Sequence, residues 1–273
     1  MTRLTMYQVD AFTSELFRGN PAAVCILEAW PEPLLMQSIA AENNLSETAF
    51  AVKDGEVYEI RWFTPETEVD LCGHATLATA HVLFEYLGYP GKVITFRSLQ
   101  RGTLKVEKSD DRLVLDFPAD KLKEIPVPEW AVAALHKRPV KAFRGRSDWM
   151  LVFASQSELE GMRPEFGKLQ EAGGRGVIVT AMGVEVDFVS RFFAPGTGIN
   201  EDPVTGSAHT SLVPYLSKVL GKKRLKARQL SARGGELVCE DQGDRVKIAG
   251  NAVTYLTGEI FLSPGLFSSN EAI

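Results

Sequence analysis

The sequence predicts an α+β protein of two pseudo-symmetric halves, each a curved, mainly antiparallel sheet around one central helix. Three observations carry that reading. The first is a self-repeat: residues 70–80 (DLCGHATLATA) are echoed by residues 202–211 (DPVTGSAHTS). One constant step pairs Cys72 with Thr205, Gly73 with Gly206, His74 with Ser207 and Ala75 with Ala208. With no gap it goes on to pair Leu83 with Leu216, Gly88 with Gly221, Leu104 with Leu237 and Arg112 with Arg245. The second is that both copies open a helix that is apolar nearly all round, which must be covered on every side. The third is that short β-branched and aromatic runs recur in both halves, as strands of a covering sheet would.

In chain order, a helix is expected over 31–43, with prolines in its first turn and Leu34, Leu35, Ile39 and Ala40 on its apolar face. Strands follow over 57–63, 93–96, 113–117, 149–153, 177–180 and 186–193. Between them, 74–87 is the first buried helix and 207–220 its counterpart. Pro214 lies inside the second and should kink it, because proline lacks the N–H and crowds the preceding turn. Residues 119–140, rich in proline and lysine, read as the link between halves. The domains expected are therefore 1–118 and 119–273, with the last residues packing back on the first.

Composition narrows the function. A chain of 273 residues with a net charge of -5 has no basic face for nucleic acid. The basic cluster at 222–228 follows a helix end and reads as a solvated loop and strand edge. The three cysteines, Cys25, Cys72 and Cys239, are too few and too widely spaced for a disulfide framework or a zinc motif, which suggests a reducing compartment. No signal peptide and no membrane-spanning stretch is read in the sequence, so a cytoplasmic protein acting on a small molecule is expected.

Gly73 and Gly206 stand where unpaired N–H groups at a helix start attract an anion such as a carboxylate; the alternative is that they allow close strand-to-helix packing. A site between the halves is expected from the repeat. Glu47 lies in a strand-like run with few charges, where desolvation suits a carboxyl group to general acid/base work; the alternative is a carboxylate paired with arginine. His74 reads as a proton-exchanging or capping group. Asp202, made extended by Pro203, either faces substrate or caps the second helix. Ser207 either donates to substrate or serves as an N-cap. His209 reads as a partly buried helix residue. Cys72 is a reactive thiol or a buried small residue. Residues 204–208 lack the Gly-x-Ser-x-Gly elbow of a serine hydrolase. The glycines at 173–176 precede a strand, so no dinucleotide or P-loop site is read there. No metal-ligand spacing stands out.

The chain resembles the PhzF-like isomerases of phenazine biosynthesis. The resemblance runs nearly end to end and rests on VDAF at 9–12, GNPAAV at 19–24, NLSETAF at 44–50, CGHAT at 72–76 and EDPVTGSA at 201–208. It implies a diaminopimelate epimerase-like fold, a frequent homodimer, and a reaction that uses no cofactor and no metal. It further implies that Glu47 shuttles a proton between carbons of a dihydro-hydroxyanthranilate while His74, Asp202 and Ser207 bind or protonate substrate. In the related epimerases two cysteines face each other; Cys72 matches one and Thr205 replaces the other, which weakens a two-base racemase. Two alternatives stay open: an amino-acid racemase or epimerase using Cys72, and a non-catalytic ligand-binding scaffold.

Overall fold

A computed structural model describes residues 2–100 and 102–263. In chain order the elements are β1 (Thr2–Ala11), β2 (Asn20–Leu27), α1 (Pro33–Asn43), β3 (Glu47–Asp54), β4 (Val57–Phe63), β5 (Glu68–Val69), α2 (Gly73–Glu85), β6 (Val93–Ser98), β7 (Gly102–Ser109) and β8 (Arg112–Pro118). There follow β9 (Lys123–Ile125), α3 (Glu129–Leu135), β10 (Lys141–Arg144), β11 (Asp148–Val152), α4 (Gln156–Glu160), α5 (Phe166–Glu171), β12 (Gly176–Met182), β13 (Phe188–Ala194) and β14 (Ile199–Asp202). Last come α6 (His209–Leu220), β15 (Arg224–Gln229), β16 (Gly235–Asp241), β17 (Arg245–Gly250) and β18 (Ala252–Leu262).

The chain divides into two compact units, Met1–Leu115 with Asn251–Ile273, and Asp116–Gly250. In the first, β1 pairs antiparallel with both β18 and β2, and β2 runs parallel to β3. β3 is antiparallel to β4, β4 parallel to β6, and β6 antiparallel to β7. In the second unit β10 pairs antiparallel with β9 and β11, and β11 runs parallel to β12. β12 is antiparallel to β13, β13 parallel to β15, and β15 antiparallel to β16. The two sheets thus share one order of pairings, and each carries its apolar helix at the same point of that order: α2 before β6, α6 before β15. The self-repeat read in the sequence is this shared plan. The outer strand β18 of the first unit comes from beyond the second unit in sequence, whereas β9, which pairs with β10, lies within the second unit's own run.

Helix α2 is buried from Gly73 through Ala80 and again at Val82 and Leu83. It packs against β1, β2, β3 and β18. Burying Leu77 and Leu83 alone contributes roughly 1.5–3 kcal/mol each. Its two buried threonines cost little, because the Thr76 and Thr79 hydroxyls donate to the carbonyls of Cys72 and Ala75 one turn back. On the other side of this sheet α1 packs Leu35, Met36, Ile39 and Ala40 against Phe50 and Phe63.

Two expectations are corrected. Residues 119–140 are not a link: β9 pairs with β10, and Ala131, Ala134 and Leu135 of α3 lie in the second unit's core with Leu151, Val179 and Phe193. Lys121, Lys123 and Pro126 of this segment are exposed while Ala131, Ala134 and Leu135 are buried. The second helix begins at His209 rather than at 207, after a 3-10 turn at Gly206–Ala208, and continues through Pro214 to Leu220. The carbonyl that proline leaves without a helical partner, that of Thr210, accepts the Asp120 N–H at 3.1 Å. The Asp120 carboxylate accepts the Ser211 hydroxyl at 2.9 Å, so the supposed link repairs the helix.

Candidate active site

In the first unit, parallel pairing of β2 with β3 sets Glu47 beside Ala22, at the end of the sheet where α2 begins. Glu47, Cys72, Gly73 and His74 come together there. Glu47 Oε2 lies 3.1 Å from His74 Nε2, and both side chains are largely buried, at 13% and 5% exposure. The two form a buried ion pair when His74 is protonated, and no other group among the described residues bonds this carboxylate oxygen. The side-chain amide of Asn20, which follows the tight turn at Gly19, faces the other ring nitrogen, Nδ1, at 3.1 Å. An amide can offer either its NH2 or its carbonyl, so it orients the ring in either protonation state. Cys72 Sγ lies 3.5 Å from His74 Nδ1.

Burial by itself opposes a charged His74, but the Cys72 sulfur and the Glu47 carboxylate outweigh it and hold the imidazole well above its ordinary range. Cys72 moves the other way in function. Burial first, and then the Glu47 charge, push its thiol up to about 11 in spite of His74 and the Ala75 amide. At the start of α2 the Ala75 N–H faces the Cys72 sulfur, and the positive end of the helix dipole favours an anion near Gly73.

In the second unit, Asp202 ends β14 and Gly206 opens the 3-10 turn that leads into α6. The Thr205 hydroxyl donates to Asp202 Oδ2. Gln229, fully buried on β15, binds this turn three ways. Its Oε1 accepts the Thr205 N–H at 2.9 Å, and its Nε2 donates to the Asp202 carbonyl at 2.8 Å and to Thr205 Oγ1 at 3.1 Å. Ser207 is no N-cap: its hydroxyl accepts from Arg175 Nη1 at 2.9 Å. Arg175 is gripped in turn by the carboxylate of buried Asp148 at the start of β11. His209 is fully buried, donates through Nδ1 to the Thr205 carbonyl, and is held neutral by burial, its pKa lowered to about 4.

Sequence reading missed Asn20, Gln229 and Arg175. Asn20 and Gln229 had a faint signal as the polar residues of otherwise apolar or alternating strands; Arg175 stood inside a glycine cluster that was read only for what it was not. Ser207 is the repeat partner of His74, so the two units make the same contact with different chemistry: a carboxylate meets His74, a guanidinium meets Ser207.

Residues 9–258 match the profile of the PhzC-PhzF family, described as phenazine biosynthesis-like protein. The chain belongs to this family. A Pseudomonas aeruginosa relative named as an uncharacterized isomerase is 52% identical over 261 residues, spanning 96% of this chain and all of that one. A human phenazine biosynthesis-like domain-containing protein is 39% identical, spanning 94% of this chain and 99% of its own. The crystal structure of a PhzF family protein from Enterococcus faecalis superposes with a TM-score of 0.92 at 48% identity, covering 96% of this chain and 100% of that one. A probable proline racemase from Agrobacterium radiobacter, at 12% identity and a TM-score of 0.66, shares the fold. The α+β architecture is thus that of the PhzF and epimerase-fold proteins. No helix among the described residues is long and apolar enough to cross a membrane.

Proposed function

We propose that this chain is an isomerase that moves a proton between two carbons of a small cyclic carboxylate of the dihydro-hydroxyanthranilate type, with Glu47 as its one acid/base. The observation that carries the reading is the Glu47 carboxylate: largely buried, with an oxygen 3.1 Å from the imidazole of His74, which is held protonated, and with no other described group bonded to that oxygen. The names of close relatives as isomerases support the reaction class.

Glu47, as carboxylate, removes the proton from one ring carbon, leaving an anion delocalised into the substrate. As carboxylic acid it returns the same proton to another carbon on the same face. His74, held protonated, offsets the carboxylate's charge before the first transfer and bonds to the developing anion after it. The N–H groups from Gly73 at the start of α2 suit the substrate carboxylate. Asp202, Gly206 and Ser207 are proposed as further substrate-binding groups, with Arg175 holding the Ser207 hydroxyl so that its proton is free to be donated. A Cys72 racemase is the weaker reading. Its thiol is pushed up to about 11, and the Thr205 hydroxyl at the repeat position is already committed to Asp202.

The test is incubation with trans-2,3-dihydro-3-hydroxyanthranilate in deuterated buffer, followed by NMR for substrate loss and deuterium uptake. General acid/base groups contribute about 10²–10⁴-fold, so Glu47→Gln should lower turnover at least that much while the fold is kept. A Glu47→Gln protein that still turns over at the parent rate ends the mechanism. Exchange lost in Cys72→Ser but kept in Glu47→Gln would move the reaction to the thiol.

A further inference from the structure

We infer that Glu47, Cys72 and His74 form a site for one thiophilic divalent cation of the zinc class, which occupies the groups that the isomerisation needs and so inhibits it. The inhibitory part rests on the isomerase reading; the binding part does not. One thiol sulfur, one imidazole nitrogen and one carboxylate oxygen lie within 4.8 Å of one another. The nitrogen-to-oxygen separation is 3.1 Å and sulfur stands 3.9 Å from the same Nε2. A tetrahedral zinc with bonds of about 2.0–2.3 Å needs its ligand atoms about 3.3–3.7 Å apart. The sulfur stands nearer Nδ1, at 3.5 Å, so the Cys72 and His74 side chains turn to bring Sγ and Nε2 onto one ion. Three protein ligands leave a fourth position open, the pattern of reactive zinc sites.

Two further observations favour a ligand here. The Glu47 oxygen nearest His74 is buried and faces no described group but that imidazole, so a cation that replaces the imidazole's proton meets a carboxylate already stripped of water. Asn20 stands behind His74 at 3.1 Å, where its carbonyl can accept an Nδ1–H and leave Nε2 to the ion. Sulfur makes the choice of metal: a thiolate with an imidazole selects zinc, cobalt or copper over magnesium or calcium. On binding, the S–H bond of Cys72 and the Nε2–H bond of the protonated His74 break, both protons pass to solvent, and metal–sulfur and metal–nitrogen bonds form. Glu47 contributes an oxygen lone pair and no electron changes hands. Affinity therefore rises with pH. Substrate and cation exclude each other because both need Glu47.

The experiment titrates Co²⁺ into the metal-free full-length chain and reads the thiolate-to-cobalt absorption in the near ultraviolet. One equivalent should saturate the band, Zn²⁺ should abolish it, and excess Mg²⁺ should leave it. Cys72→Ser should remove the band and weaken Zn²⁺ by more than the 10–100-fold expected of a supporting residue, and Asn20→Ala should weaken it within that range. Cys239→Ser, far from these ligands in sequence and buried in its own strand, should leave the titration unchanged. No sulfur band, or a band that survives in Cys72→Ser, overturns the site. Turnover on the dihydro-hydroxyanthranilate that persists at saturating Zn²⁺ overturns the inhibition. Absence of any turnover counts against the isomerase reading alone, because the titration uses no substrate.

Discussion

Gln229→Leu tests whether the turn before α6 is held from β15. The wild-type amide is fixed in one orientation, since its oxygen must face the Thr205 N–H and its nitrogen the Asp202 carbonyl. Leucine has nearly the same volume and cannot bond to either. The substitution therefore strands a donor and an acceptor next to residues that are only 6% and 8% exposed. Each stranded buried group costs about 1–3 kcal/mol, for a total of roughly 2–6 kcal/mol. Added apolar burial by leucine returns about 1 kcal/mol of that, so a net loss of about 1–5 kcal/mol is expected. For a unit of this size each kcal/mol lowers the midpoint by about 4 °C, which gives a fall of about 4–20 °C in the second unit's transition by calorimetry. Exchange of the Thr205 amide with deuterated solvent should also quicken. A midpoint within the roughly 0.5 kcal/mol scatter of surface substitutions, with Thr205 still protected, would refute the assignment of the turn to Gln229.

Two further outcomes follow from local geometry. Gly19→Ala puts a Cβ at 2.2 Å from the Ala11 carbonyl oxygen at a φ of +66°, one residue before Asn20, whose amide faces His74. A loss of more than about 2 kcal/mol in the first unit is expected, and an unchanged thermal midpoint would sink the steric argument. His209, with its pKa lowered to about 4 when folded, titrates near 6.5 when unfolded. Between those values only the unfolded chain takes up the proton, so the second unit loses stability as pH falls from 6.5 to 4, by up to about 3 kcal/mol. His209→Asn, which keeps a donor to the Thr205 carbonyl, should flatten that slope in urea titrations; a slope equal to the parent's would show that other groups carry it.

Much was legible before any coordinates. The repeat was visible because both copies begin a helix packed on a sheet, which favours small residues at 73, 75 and 206–208 and apolar ones beyond. The strand read at 57–63 matches β4 residue for residue, since alternation and β-branching are local properties. Glu47, Cys72 and His74 stood out as chemistry-bearing residues in apolar surroundings. By itself, the sequence determined these elements, their duplication and the residue types at the head of α2.

The tertiary structure decided the partners. That Glu47 meets His74 depends on the parallel register of β2 with β3, and that Ser207 meets Arg175 depends on β11 beside β12. That Pro214 is harmless depends on Asp120, which is distant in sequence and was read as linker. The reason is physical. Helix and strand preferences are summed over neighbouring residues and leave a periodic trace. A hydrogen bond between distant residues is one contact of about 1 kcal/mol, chosen by how whole sheets pack, and it leaves no trace in the order of the residues it joins.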